Sequence, residues 1–165
     1  MLKLTISKIR GIEKVKSFFN ELGYKTKGVA ADAFSDYIIG DGTHGLRHYV
    51  KYRRVTRKEA YGQTFKSDKQ RRWFFANLHE GNILPGYPRR TGRLQRGWDK
   101  KGSSTKITIF NREPYAKWVH GDRSQANLNA LVGWRKTMDI VKSNVAGAIR
   151  HARAKVKEYL KGKKP

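Results

Sequence analysis

Arg93 to Asn111 reads RLQRGWDKKGSSTKITIFN, and its interpretation decides whether the chain is all helical or carries a sheet. Lys106 to Asn111 alternates Ile107 and Ile109 with polar partners, the period of a half-buried strand. Arg93 to Trp98 reads as its partner strand, with DKKGSST (Asp99 to Thr105) as the hairpin turn. Pro85, Gly86 and Pro88 punctuate the approach. Downstream, from Trp134, the residues Met138, Val141, Val145, Ala148, Ala152, Val156 and Tyr159 step by three or four. That spacing predicts a long amphipathic helix packing along a neighbour, inside the subunit or between subunits. Lys161 to Pro165 reads as a frayed basic tail.

Upstream, Leu2, Leu4 and Ile6 alternate with polar residues, which fits a short strand or the start of a helix. Ile12, Val15, Phe18, Phe19 and Leu22 then recur at helical spacing, with Gly23 as the expected stop, and Val29 to Ile39 reads as a second helix closed by Gly40. Gly40 to Thr56, GDGTHGLRHYVKYRRVT, holds three glycines and clustered cations with no helical period. Residues 40–66 therefore read as a basic extended arm or loop, of a length that in compact domains usually accompanies function or disorder. Thr56 with Glu59 and Ser67 with Gln70 match capping boxes. The second opens a helix over Asp68 to Glu80, with Trp73, Phe74, Ala76 and Leu78 as core contacts. The expectation is a single α+β domain over 1–165, with amino-terminal helices, a small antiparallel sheet and a long carboxy-terminal helix.

Charge narrows the function classes. The chain has 37 Lys and Arg against 13 Asp and Glu, a formal net charge of +24, yet 12% of it is aromatic. A disordered basic tail would lack those rings. The first 39 residues contribute only +3 of the charge. A surplus this large repels itself in a compact monomer, which points to a polyanion or an acidic partner. Cysteine is absent, so disulfides, thiolate metal sites and cysteine nucleophiles are excluded. No stretch approaches the roughly 18 apolar residues of a membrane span, and no membrane role is expected.

His44 and His48 form H-x-x-x-H, but in a glycine-rich segment without a third ligand at metal spacing, so no metal or other cofactor is expected. Nuclease chemistry needs clustered carboxylates or a histidine base beside a cation. Asp41-Gly42-Thr43-His44 is the one candidate, and no catalytic residue is expected. The basic and aromatic interleaving is the stronger signal. Arg47, Lys51, Arg53, Arg54, Arg57, Arg71, Arg72, Arg89, Arg90, Arg93 and Arg96 are the candidate contacts to nucleic acid or a partner, because guanidinium forks pair with phosphate oxygens. Most tyrosines and Trp73 read as core.

Thr91-Gly92-Arg93-Leu94, a hairpin, and then Asn111-Arg112-Glu113-Pro114-Tyr115-Ala116-Lys117-Trp118-Val119-His120-Gly121 resemble the tail-completion (neck or tail-component) family of tailed phages. The resemblance covers about residues 88–160. It departs from the family pattern at His120, Gly121 and Asp122, and at Val132 to Lys136, and it leaves out 40–66. Its structural motif residues here are Thr91, Gly92, Leu94, Pro114, Tyr115, Ala116, Trp118 and Gly121. Gly92 and Gly121 are expected to permit backbone geometries closed to other residues, and Tyr115 and Trp118 to anchor the segment in the core. The resemblance implies a non-enzymatic virion protein, assembled in the host cytoplasm, forming a sixfold or twelvefold ring. The ring would join the tail tube or tail terminator to the head connector, with non-sequence-specific DNA in its lumen. The competing classes are a nucleic-acid-binding accessory protein outside the virion and, third, a basic nuclease or toxin.

Overall fold

A computed structural model describes residues 2–5, 13–48, 55–76, 92–103, 106–131 and 133–162. Three strands, β1 (Leu2–Thr5), β2 (Trp98–Ser103) and β3 (Lys106–Asn111), form an antiparallel sheet in the order β1-β3-β2. The helices are α1 (Glu13–Asn20), α2 (Tyr24–Ile39), α3 (Arg57–Tyr61), α4 (Asp68–Ala76), α5 (Arg93–Arg96), α6 (Ala116–His120), α7 (Asn127–Leu131) and α8 (Thr137–Lys161). The fold is α+β, as the sequence predicts.

The long helix exists and its partner lies inside the subunit: α8 runs against α2, which also packs on β2 and β3. Val141, Val145, Ala148, Ala152 and Val156 are buried with Ala30, Ala33, Phe34 and Ile38 of α2, and Ile109 and Trp98 close the same core from the sheet. Small residues on both helices let the backbones approach closely. At Gly147 a Cβ would stand 2.3 Å from the Tyr37 hydroxyl oxygen, so the tyrosine crosses α8 where no side chain intervenes.

Six expectations are corrected. Arg93 to Trp98 is not a strand: Gly92, at φ 70, starts the short helix α5, and Gly97 ends it. The strand is displaced onto Trp98–Ser103, through what reads as a turn, and Ser103 pairs with Lys106. A strand this charged is stable because the Lys100 ammonium meets Asp32 at 2.5 Å and Asp36 at 2.8 Å on α2, a compensation invisible to local pattern. Gly23 is the amino-terminal cap of a longer α2 rather than the stop of α1. Residues 40–48 are not an extended arm. Leu46 is buried in the main core, and its amide and that of Arg47 bond to the Ile38 and Ile39 carbonyls. Within the supposed arm, α3 begins at a complete Thr56–Glu59 capping box. Trp73 is 50% exposed and Ala76 is exposed, whereas Phe74 is buried. Trp118 is 51% exposed and Tyr115 is exposed too, while Ala116 and Val119 hold the segment down. Residues 49–54, Leu78 and the proline-rich approach lie outside the described residues.

A second core gathers Val55, Ala60, Phe74, Leu94, Ala116, Val119 and Trp134. The two cores meet at His120, whose ring stands edge-on to Trp98 of the first at 5.9 Å and to Trp134 of the second at 5.0 Å.

Candidate polyanion interface

Of the residues that carry the resemblance, Leu94 and Ala116 are buried, whereas Tyr115 and Trp118 are exposed. Asn111, wholly buried at the end of β3, donates through Nδ2 to the Leu94 carbonyl at 2.8 Å and accepts the Glu113 amide on Oδ1 at 2.9 Å. It ties α5 to the turn that enters α6. Pro114 is exposed in that turn. Gly121 has an ordinary φ of −66. Its need for glycine is close approach, since a Cβ would lie 2.2 Å from the Lys117 carbonyl oxygen and 2.4 Å from Ser124 Oγ. Asp122, a departure from the family pattern, accepts the Met138 amide at 3.0 Å. It serves an unsatisfied first-turn amide of α8, whose own cap residue, Lys136, makes no side-chain cap bond.

His120 is 1% exposed. Its Nδ1 lies 2.8 Å from the Arg135 carbonyl, and because a carbonyl only accepts, Nδ1 carries the proton. Burial pushes its pKa below the usual 6.5, offset in part by that bond. The unfolded chain therefore takes up the proton first as pH falls. Stability from this group is complete well above pH 6.5 and declines as pH drops through 6.5 toward the folded value. The expected result is a lower urea midpoint at pH 5.5 than at 7.5, with a shallower pH dependence in His120→Leu, which is less stable than the wild type at pH 7.5.

The Asp41–His44 stretch is closed on itself. Asp41 accepts from the Thr43 hydroxyl at 2.6 Å and the Thr43 amide at 2.9 Å, which hold its carboxyl down at about 2. His44 Nδ1 lies 3.4 Å from the same carboxylate, and His48 Nδ1 3.0 Å from the Gly42 carbonyl. No group of three metal-ligating side chains among the described residues is arranged to hold a metal ion.

The predicted contact residues are dispersed. Arg47 turns inward and donates to the Trp98 carbonyl at 3.1 Å. Arg57, Arg71 and Arg72 are exposed on α3 and α4, and Arg93 and Arg96 are exposed on α5. Thr91, Lys51, Arg53, Arg54, Arg89 and Arg90 lie outside the described residues.

Meanwhile several carboxylates are engaged within the fold. Asp32 and Asp36 meet Lys100, Asp99 meets Arg112, and Glu59, Asp41 and Asp122 accept backbone amides. Burial works to lower the Lys100 pKa, but the two aspartates outweigh it and hold it above its usual value.

What sequence reasoning missed is the outer side of α8. At 100° per residue, Lys142, Arg150, Arg153, Lys157 and Lys161 fall within about 100° of the helix circumference, opposite the buried stripe. All five are exposed. Arg153 reaches Glu21 only at 3.9 Å, and Glu158 is taken by Lys155. The other four make no ion pair among the described residues. Beside this stripe, α1 and α8 frame a groove of about 340 Å³ to which Lys14, Arg150 and Arg153 contribute. The signal was available, because the periodicity that marks the buried face of α8 also marks its opposite.

No family model matches the chain, and neither the curated proteins nor the solved structures include a significant match to it.

Proposed function

We propose that this chain is a structural, non-enzymatic subunit of the neck of a tailed-phage particle. Copies form a sixfold or twelvefold ring that joins the tail tube or terminator to the head connector around passing DNA. The observation that carries this reading is electrostatic. Several carboxylates pair within the fold, while Lys69, Arg71 and Arg72 on α4 and Lys142, Arg150 and Lys157 on α8 are exposed and make no ion pair among the described residues, and self-repulsion of that kind is relieved by an external polyanion. The chain order Gly92-Arg93-Leu94, hairpin, Pro-Tyr-Ala segment and carboxy-terminal helix is that of the resemblance, with the difference that Gly92-Arg93-Leu94 opens the short helix α5 and the strand begins only at Trp98. Asn111 gives the two motif halves a physical reason to occur together.

The test is assembly. Purified protein, alone or with connector and tail-tube components, is expected to form closed rings by electron microscopy and light scattering, and to be located at the neck of intact particles. Monomers under all these conditions would overturn the reading. Incubation with plasmid and magnesium or manganese is expected to leave the DNA intact, whereas cleavage abolished by Asp41→Ala would restore the nuclease alternative.

A further inference from the structure

We infer that the solvent-facing stripe of α8, with the α1–α8 groove beside it, is the surface on which this chain tracks a phosphodiester backbone without reading its sequence. The inference rests on the nucleic-acid part of the proposed function and not on the neck position.

Geometry favours a long, regular anion. From Lys142 to Lys161 the stripe extends about 28 Å at 1.5 Å per residue, the length of about eight base pairs at 3.4 Å each. Over that span no acidic residue shares the stripe, since Glu158 lies off it and faces Lys155. The intervening exposed positions include Ala146 and Ala154, small enough to let a backbone approach. Lys14 widens the positive track from α1, opposed in the groove by Glu21 alone.

Chemistry disfavours the other occupants. An anionic membrane would need a broad apolar face beside the cations, but the main apolar stripe of α8 is covered by α2, which leaves exposed Leu160 and the groove edge at Ile149 as the apolar surface beside them. Base readout relies heavily on amide side chains and bidentate arginines aimed into a groove. The stripe has no Asn or Gln, and Asn144, off to its side, is bound to the Ile140 carbonyl at 2.8 Å. Arg153 lies over the Phe18 ring at 5.6 Å, which fixes its position on the track.

The test compares duplex-DNA affinity across a salt series for the wild type, for Lys142→Gln/Arg150→Gln/Lys157→Gln, and for Lys69→Gln/Arg71→Gln/Arg72→Gln on α4. The α8 substitutions remove exposed cations that have no internal partner, so the thermal midpoint should be retained. Each phosphate contact contributes about 0.9 to the slope of log affinity against log salt. The α8 variant is therefore expected to lose about 2 to 3 of that slope, equally on two unrelated sequences, while the α4 variant loses less. An α8 variant with the wild-type slope overturns the inference yet leaves DNA binding and ring assembly standing. A wild type that binds no DNA removes both the inference and the DNA part of the proposed function. Binding to anionic vesicles in preference to DNA, or a large sequence preference, also overturns it.

Discussion

Asn111→Leu is expected to destabilise the fold by about 2–4 kcal/mol, although it places an apolar residue at a wholly buried position. The cause is what the asparagine leaves behind. The Leu94 carbonyl loses its donor and the Glu113 amide its acceptor, and each unpaired buried group costs about 1–3 kcal/mol. Space compounds the loss, because Asn111 Oδ1 stands 2.6 Å from where a Cβ on Gly97 would be, so a branched side chain presses on that backbone. Urea unfolding followed by far-ultraviolet circular dichroism measures it. Asn111→Asp refines the test. Its carboxylate can still accept from Glu113 but opposes the Leu94 carbonyl until it is protonated, which raises its folded pKa above the unfolded value. Relative to wild type, this variant should therefore gain stability as pH falls. A loss below about 0.5 kcal/mol in Asn111→Leu would mean the clamp is dispensable.

Phe34→Ala is expected to cost about 3–5 kcal/mol, the range for emptying a buried aromatic site. Phe34 has no exposed surface, lies among the residues that join α2 to α8, and meets the Phe19 ring edge-on at 5.9 Å. Relaxation of the site is limited, because α2 is held from one side by the sheet and from the other by α8. Trp118→Ala supplies the contrast. It removes a larger ring that is half exposed and covered on one side by the Lys117 ammonium at 4.9 Å, and its cost should be at most about 1 kcal/mol. Equal losses in the two variants would show that the aromatic residues are assigned to the wrong surfaces.

The helices were legible where apolar residues repeat over many turns. Val141 through Val156 could satisfy their spacing in no other way, and Thr56 with Glu59 announced its cap by side-chain chemistry that acts within four residues. The hairpin was legible as a hairpin but misplaced on its first strand. Asp99-Lys100-Lys101-Gly102 looks like a turn until Asp32 and Asp36, some 65 residues earlier, neutralise Lys100. Trp73 and Trp118 misled for a related reason. Hydrophobicity ranks tryptophan as core, but on a short helix the neighbours Phe74 and Val119 take the single buried face and leave the adjacent positions outside.

The candidate interface divides in the same way. Composition alone determined that this protein carries a large surplus of positive charge, and local pattern alone determined a long carboxy-terminal helix with one apolar stripe. Only the tertiary structure decided which cations remain available. Arg47 is spent on a carbonyl and Lys100 on two carboxylates, while the burial of α8 against α2 turns Lys142, Arg150, Arg153, Lys157 and Lys161 outward together. The physical reason is range: helix periodicity and capping act within a few residues, whereas charge compensation and burial depend on contacts between segments far apart in the chain.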